Sequence, residues 1–321
     1  MNKARLLTVG EAMLRLSPPI QQSLIDSAHL DVSVGGAELN VAIAAKCMGL
    51  ESSWLSQLPD GVLAEKILRH ARNHSVDPII SIGEGRVGMY FAEVGNDPRG
   101  VTVTYDRDFS ATRSLTPEAI APLIVGKEFS ALFSSGITLA LGEGPRESVY
   151  SLFTASRSWR RYFEINHRSK LASSSEMTSW VEGILPHADV LFASTHDLTE
   201  ILKLGDDVRS AAVQAIEKYQ LEYVVVPDRV GRVGELGTNS LKVIGHDVDV
   251  FQEFQGMVVD PIGAGDAGAG TFIACIEQGM DVESAAQCSV IASAWTQTHA
   301  GDTASFRRND IVALDDRRIR R

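Results

Sequence analysis

The chain has 321 residues, a formal net charge of −11 and a hydrophobic content of 44%. These values are ordinary for a soluble globular enzyme, and no apolar run approaches the roughly 20 residues of a membrane span. The acidic balance argues against nucleic acid as a partner, because such binding rests largely on Lys and Arg. We interpret the basic run 317–321 as a solvated tail. The three cysteines are far apart and lack zinc-ligand spacing, so we expect a cytoplasmic protein without disulfides or zinc.

Short β-branched runs alternate with longer segments at helical spacing. This alternation predicts an α/β fold with a mostly parallel sheet covered by helices on both faces. The predicted elements, in chain order, are strands at 6–9, 131–134, 189–192 and 223–226, and helices at 37–48, 145–156, 197–204, 265–279 and 281–298.

One region interrupts the alternation. The β-rich runs 87–94 and 101–105 are joined by the turn-forming segment 95–100, with no helix between them. This pattern predicts an antiparallel hairpin, and its early position in a parallel α/β chain suggests a small β lid beside the main sheet.

A glycine-rich segment near the C-terminus carries the strongest chemical signal. Within the segment 257–270, a short apolar strand is predicted to enter the turn Gly263-Ala264-Gly265-Asp266, with a helix after it. The first N–H groups of such a helix lack helical partners and lie at the positive end of its dipole. The sequence therefore predicts a phosphate-binding turn.

Two chemistries fit this turn. Gly263, Gly265 and Gly268 match the G-x-G-x-x-G dinucleotide fingerprint, with Glu283 about 20 residues after the first glycine. That fingerprint needs a second strand ending at the acid, whereas the sequence predicts helix and turn there. In phosphoryl transfer, Asp266 would accept the proton of a substrate hydroxyl; a plain helix cap is the alternative.

The sequence resembles the PfkB, or ribokinase-like, family of carbohydrate kinases. The resemblance rests on the segment Asp260–Asp266 together with Val34–Ala42. Within the family, the segment 10–19 looks like the opening of 2-keto-3-deoxygluconate kinases, and similar matches occur in order over nearly the whole chain. They include 58–60, 105–107, 110–111, 135–138 and 164–168. The resemblance implies a three-layer α/β/α sandwich in one domain, 1–321, with a small β-sheet lid formed by about 12–34 and 86–112.

The resemblance also implies residue roles on the sugar side. Glycines let the backbone come close to the sugar hydroxyls, the lid supplies aromatic rings, and two arginines bind a carboxylate, for which a planar guanidinium is well suited. The residues are, in that order, Gly35 and Gly36 with Asn40, then Tyr90 and Tyr105, then Arg107 and Arg168.

On the nucleotide side, the resemblance implies ATP and Mg²⁺ over the turn, with Asp266 as catalytic base beside Gly263, Ala264 and Gly265. It assigns Ser194 and Arg229 to the nucleotide. It also implies Asp197 as a Mg²⁺ ligand and Asp260 as part of a K⁺ or other monovalent-cation site.

Four positions depart from the family pattern. Gly268 replaces an aromatic residue, Ser194–Asp197 replaces an Asn-x-x-Glu element, and Glu164 replaces an aspartate. In the segment Pro227–Gly231, Arg229 alone matches the acid-sugar kinases clearly.

The sequence thus predicts an ATP-dependent kinase that phosphorylates a primary hydroxyl of 2-keto-3-deoxygluconate, with no nucleic acid or membrane partner. Lid-to-lid packing predicts a homo-oligomer. The alternatives are a kinase of another sugar, such as fructose or a ketogluconate, and a degenerate protein that binds a sugar acid without phosphorylating it.

Overall fold

The structure is a computed structural model and describes residues 5–96, 98–155 and 158–314. The basic run 317–321 lies outside the described residues. The described strands are β1 (Arg5–Val9), β2 (Met13–Ser17), β3 (Asp31–Gly35), β4 (Glu51–Leu58), β5 (Asp77–Ile82), β6 (Met89–Val94), β7 (Val101–Asp106), β8 (Ala131–Ser135), β9 (Arg160–Glu164), β10 (Val190–Phe192), β11 (Tyr223–Val230), β12 (Leu236–Gly245) and β13 (Asp249–Met257). The described α-helices are α1 (Ala37–Cys47), α2 (Val62–Asn73), α3 (Pro117–Ile124), α4 (Gly136–Leu139), α5 (Glu143–Thr154), α6 (Ser174–Ile184), α7 (Val208–Tyr219), α8 (Ala264–Glu277), α9 (Val282–Thr296) and α10 (Arg308–Val312).

Nine strands form the main sheet, in the order β13-β12-β11-β10-β9-β8-β1-β4-β5. The seven strands from β11 to β5 are mutually parallel, which confirms the predicted α/β fold. The pairs β11–β12 and β12–β13 are antiparallel. Strand-helix alternation does not predict this antiparallel edge, because no helix separates these three strands.

The strand order also locates a crevice. The chain moves from β1 to β4 and β5 on one side, and later resumes at β8 on the other side of β1. In open α/β sheets, ligands bind at the carboxyl ends of the strands where the order reverses in this way. The carboxyl ends of β1 and β8 are therefore the expected place for a ligand.

A second, four-stranded sheet has the order β3-β2-β6-β7. Strands β6 and β7 pair antiparallel with Tyr90 opposite Tyr105, which confirms the predicted hairpin. The early strands β2 and β3 complete the sheet, in the two chain regions expected to form the lid.

Alternating side chains of the main sheet supply two separate cores, as the two-residue period of a strand requires. On β1, Leu7 and Val9 pack with α3, α5, α6 and α7, whereas Leu6 packs on the opposite face with α1, α8 and α9. The three-layer arrangement follows, with α8 held firmly between α1 and α9. The helices of the described residues are all too short or too polar to cross a bilayer. Cys47, Cys275 and Cys288 are free thiols, as expected.

Candidate active site

A cavity of about 600 Å³ lies at the carboxyl ends of the parallel strands, between the main sheet and the small sheet. The ends of β9, β10 and β11 line it from the main sheet, and residues of β6 and β7 line it from the small sheet. The start of α8 forms its wall at the turn singled out in the sequence. The described structure thus brings most of the predicted site residues into one space.

The turn before α8 has a geometry that requires glycine at its first position. Gly263 has φ +81°, and a Cβ there would collide with the backbone of Asp302. Gly265 faces open space, with no atom within 4 Å of where its Cβ would lie. Gly263, Gly265 and Asp266 line the cavity, so the N-terminal end of α8 borders it, which suits an anion.

Asp266 lies in the first turn of α8 and faces this cavity. Its Oδ2 accepts a hydrogen bond of 2.8 Å from Nδ2 of Asn40, on α1. Burial raises the pKa of Asp266 to about 7, although the Asn40 hydrogen bond and the charge of Arg168 pull it down. A carboxyl with a pKa near neutrality is suited to accept and release a proton at physiological pH.

The glycine-rich turn does not serve as a dinucleotide fingerprint. After α8 the chain enters α9, and Glu283 lies in the first turn of that helix instead of at the end of a strand. The second strand that the fingerprint requires is therefore missing at that place.

The lid side of the cavity carries the two predicted tyrosines. Tyr90 is buried, and its ring lies 5.9 Å from that of the partly exposed Tyr105. The hydroxyl of Tyr90 donates to Oδ2 of Asp302. Gly35 lies against the same pair, because a Cβ there would meet the Tyr90 hydroxyl and the Asp302 carboxylate. Gly36 lines the cavity directly.

The two predicted arginines have different surroundings. Arg107 lines the cavity but is buried, and both Nε and Nη2 donate to Oε2 of Glu11. Ser110 donates to the other oxygen of Glu11. The Glu11 carboxylate therefore already compensates the charge of Arg107, which sequence reasoning did not anticipate.

Arg168 also lines the cavity, in the loop after β9. Within the described part of the chain, no hydrogen bond or ion pair holds its guanidinium. Its charge nevertheless lowers the pKa of both Asp266 and Glu164, which places it near these carboxyls. Arg168 is thus a cavity cation that remains available to an anionic ligand.

At the other end of the cavity lie residues of β11, β12 and α9. Nη1 of Arg229 donates to the carbonyl of Pro261 at 2.7 Å, which ties the end of β11 to the turn before α8. Asn239 is buried in the cavity wall, and its Nδ2 has no partner in the described structure. A buried donor without a partner costs free energy, so a ligand acceptor there is expected.

Ser194 lines the cavity, but Asp197 does not. Oδ2 of Asp197 accepts from both the backbone N–H and the hydroxyl of Ser194, at 2.9 and 2.7 Å. The carboxylate is thus turned back on its own loop, and we do not retain Asp197 as a metal ligand. The segment forms a short π-helical turn, Asp197–Ile201, in place of the longer predicted helix.

Asp260 is buried below the turn, and protein donors reach both of its oxygens. Ile262 N–H donates to Oδ1, whereas Gly301 N–H and the guanidinium of Arg15 donate to Oδ2. Its surroundings therefore do not resemble an open cation site.

Gly268, which stands where the family pattern has an aromatic residue, packs closely against α9. A Cβ at this position would collide with the hydroxyl of Ser293, and Ser289 donates to the Gly268 carbonyl at 2.9 Å. The Ser293 hydroxyl therefore lies where the first carbon of a side chain at position 268 would be, and both residues line the cavity. The glycine at position 268 thus changes how α8 packs against α9.

Sequence reasoning did not assign five acids that line the cavity, Glu11, Glu38, Glu164, Asp228 and Asp302, and of these Glu164 and Asp302 bear on the chemistry proposed below. Glu164 ends β9, its Oε2 is buried without a partner among the described residues, and burial raises its pKa to about 8. The sequence feature that could have identified Glu164 as a site residue was its position at the end of a predicted strand, two residues before Asn166. Asp302 follows α9 in an irregular loop, where the sequence offers no signal.

Comparison with known proteins agrees with this geometry. A family model described as "pfkB family carbohydrate kinase" matches residues 3–309. A 2-dehydro-3-deoxygalactonokinase of Haloferax volcanii is 36% identical over 96% of this chain and 95% of its own length. A 2-dehydro-3-deoxygluconokinase of Thermoproteus tenax is 27% identical over 94% of this chain and 90% of its own length. The crystal structure of 2-dehydro-3-deoxygluconokinase from Thermotoga maritima superposes with a TM-score of 0.92, at 27% identity and 98% coverage of both chains. The chain therefore belongs to the pfkB family of carbohydrate kinases.

Proposed function

We propose that this kinase transfers the γ-phosphate of ATP to the primary hydroxyl of 2-keto-3-deoxygluconate. The observation that carries the sugar-acid assignment is Arg168, a cavity guanidinium without a carboxylate partner among the described residues. A guanidinium binds a carboxylate through two charge-assisted hydrogen bonds, whereas a neutral sugar would leave its charge uncompensated. Arg107 is retained as a second contact, although Glu11 already compensates its charge.

Asp266 is proposed as the general base. It lies at the start of α8, where the free amides attract the phosphate that the hydroxyl must attack. With a pKa of about 7 it is partly ionised at neutral pH and can accept the hydroxyl proton. The hydrogen bond from Asn40 fixes the orientation of this carboxylate.

The sugar is proposed to lie under the small sheet, against Gly36, Tyr90 and Tyr105, with Gly35 behind Tyr90 and Asp302. ATP is proposed at the opposite end, against Ser194, Arg229 and the turn at Gly263 and Gly265. The unpartnered Nδ2 of Asn239 supports an acceptor-rich ligand in that half.

Mg²⁺ is the expected partner of ATP, and Glu164 offers it one protein oxygen in the cavity. The unpartnered Oε2 of Glu164 is an oxygen ligand of the kind that Mg²⁺ prefers. Bound Mg²⁺ would neutralise charge on the transferred phosphate. We therefore assign the protein side of the metal site to Glu164 in place of Asp197.

The epimer 2-keto-3-deoxygalactonate is a second candidate substrate, because the Haloferax volcanii relative is named for it. The alternative of a degenerate binding protein loses its motivation at Gly268, where α9 restores the packing.

A coupled ADP-release assay with ATP and Mg²⁺ tests the proposal. We expect turnover of one or both 2-keto-3-deoxyhexonates at kcat/KM values far above that for fructose. The variant Arg168→Ala should lower kcat/KM for the acid substrates by about ten- to a hundredfold, the scale of hydrogen bonds to a charged group, and leave kcat/KM for fructose unchanged. Arg160→Ala, which removes a half-buried arginine that pairs with Glu222 at the opposite end of β9, is the control. Equal losses for acid and neutral sugars would contradict the carboxylate role.

A further inference from the structure

A buried ionic cluster lies directly beneath the phosphate-binding turn. Nη2 of Arg15 donates to Oδ2 of Asp260, and Nη1 donates to Oδ1 of Asp302, each at 2.5 Å. The side chains are 3%, 1% and 5% exposed. We call these three residues the Arg15 cluster. Arg15 itself does not line the cavity, so the cluster acts on the site through its neighbours.

Arg15 is the one cation of the Arg15 cluster and offsets one of its two carboxylate charges. Without the arginine, two buried carboxylates would repel each other, and their desolvation would destabilise the folded state. Burial alone would lower the pKa of Arg15, but Asp302 and Asp260 raise it above its ordinary value. The guanidinium is therefore a permanent cation at this place, supplied by the chain.

The cluster joins parts of the chain that are far apart in sequence and that form opposite sides of the site. Arg15 belongs to β2 of the small sheet, Asp260 precedes the turn, and Asp302 follows α9. Oδ1 of Asp260 holds the N–H of Ile262, one residue before the helix cap Gly263. Gly263 in turn rests on the backbone of Asp302.

The same cluster reaches the lid. The second oxygen of Asp302 accepts the hydroxyl of Tyr90, so the carboxylate is held from both sides. A shift of Arg15 would move Asp302, then Tyr90 and the support of Gly263. Geometry at both the sugar end and the phosphate end therefore depends on one side chain outside the cavity.

We propose that Arg15 is a positioning residue that supplies the cation required beside Asp260, so that phosphoryl transfer needs no monovalent metal ion. This inference rests on the proposed kinase reaction. It replaces the expected K⁺ site, because the guanidinium and two backbone amides already bind the Asp260 carboxylate.

The first test uses the unmodified protein. Steady-state rates are measured in KCl, NaCl and tetramethylammonium chloride at equal ionic strength, with Mg²⁺ and ATP constant. We expect the same kcat/KM in all three salts. A rate that requires K⁺ would overturn the proposal.

The second test removes the cation. Arg15→Ala should lower kcat/KM for the sugar acid by roughly 100-fold, the scale of a displaced reacting geometry. Millimolar guanidinium chloride, well below denaturing concentrations, should restore much of the loss, and urea, its neutral analogue, should not. Arg160→Ala controls for guanidinium effects unrelated to the cluster. Wild-type activity in Arg15→Ala, or equal rescue by urea, would refute the role.

Two further measurements separate this inference from its premises. Arg15→Lys keeps a cation and should retain more activity than Arg15→Ala, which guards against simple misfolding; equal losses in the two variants would count against a charge role. Calorimetry of ADP binding in K⁺ and in tetramethylammonium reports on the turn even if no sugar acid is phosphorylated. Equal affinities support the Arg15 cluster, and K⁺-dependent binding contradicts it.

Discussion

The hydrogen bond from Asn40 to Asp266 should set the pH range in which the enzyme works. The proposed base has a pKa of about 7, so it is roughly half ionised at pH 7, and kcat/KM should rise with pH through that value. The amide of Asn40 stabilises the ionised form across 2.8 Å. Replacing Asn40 by leucine removes this donor while keeping a similar volume and a good helix former on α1.

The size of the effect follows from the strength of a hydrogen bond to a charged group. Such a bond contributes about 1.5–3 kcal/mol, which corresponds to roughly one to two pKa units. The acidic limb of the kcat/KM profile should therefore move from about pH 7 to about pH 8–9 in Asn40→Leu. At pH 7 the variant should lose about five- to fiftyfold in rate, because its base is about 9% to 1% ionised instead of half ionised, and it should recover most of the rate at high pH.

The assay is coupled ADP release, with kcat/KM measured from acid to alkaline pH for wild type, Asn40→Leu and the control Asn73→Leu. Asn73 is exposed at the end of α2, away from the cavity, and its replacement should leave the profile unchanged. A loss of rate that is equal at every pH would mean that Asn40 binds the sugar without tuning the base. A wild-type profile without an acidic limb near pH 7 would remove Asp266 as the titrating group.

Three other outcomes follow from the site. Asp266→Asn should lower kcat by about 10²–10⁴ while ADP affinity by calorimetry stays within a few-fold, and near wild-type kcat would exclude Asp266 as the base. Removing Mg²⁺ with EDTA should stop turnover, and Glu164→Gln should raise the Mg²⁺ concentration for half-maximal rate without changing sugar KM; an unchanged requirement would contradict its metal role. Hydrogen exchange in residues 87–105 should slow when the sugar acid binds without ATP, and Tyr90→Phe should raise sugar KM more than it changes ATP affinity. Unchanged exchange in an active enzyme would show that the hairpin is not a substrate lid.

The sequence alone predicted the features that depend on residues close together in the chain. Alternating strands and helices predicted the parallel sheet, since each element's periodicity is a property of neighbouring residues. The turn at Gly263 to Asp266 could be recognised because its glycines, base and helix are consecutive in the chain. The hairpin of β6 and β7 was equally local, with its turn residues between two β-rich runs.

The resemblance to PfkB kinases predicted that residues distant in sequence, such as Asn40 and Arg168, belong to the same site. The structure brings both to the cavity beside Asp266. The resemblance could not say which charges are already compensated. Arg107 forms an ion pair with Glu11 and Arg168 forms none among the described residues, yet both are arginines near a strand end or hairpin end.

Tertiary structure alone decided the remaining features. Nothing within a few residues of Arg15, Asp260 or Asp302 indicates that they meet, because contacts spanning more than 240 residues depend on how the two sheets are placed. The same holds for Asp197, which turns back to Ser194, and for Gly268, whose missing side chain is replaced by Ser293 of α9. Chain-local patterns determine which groups are present at a strand end or turn. The packing of distant elements determines which of those groups are buried, paired or left free for a ligand.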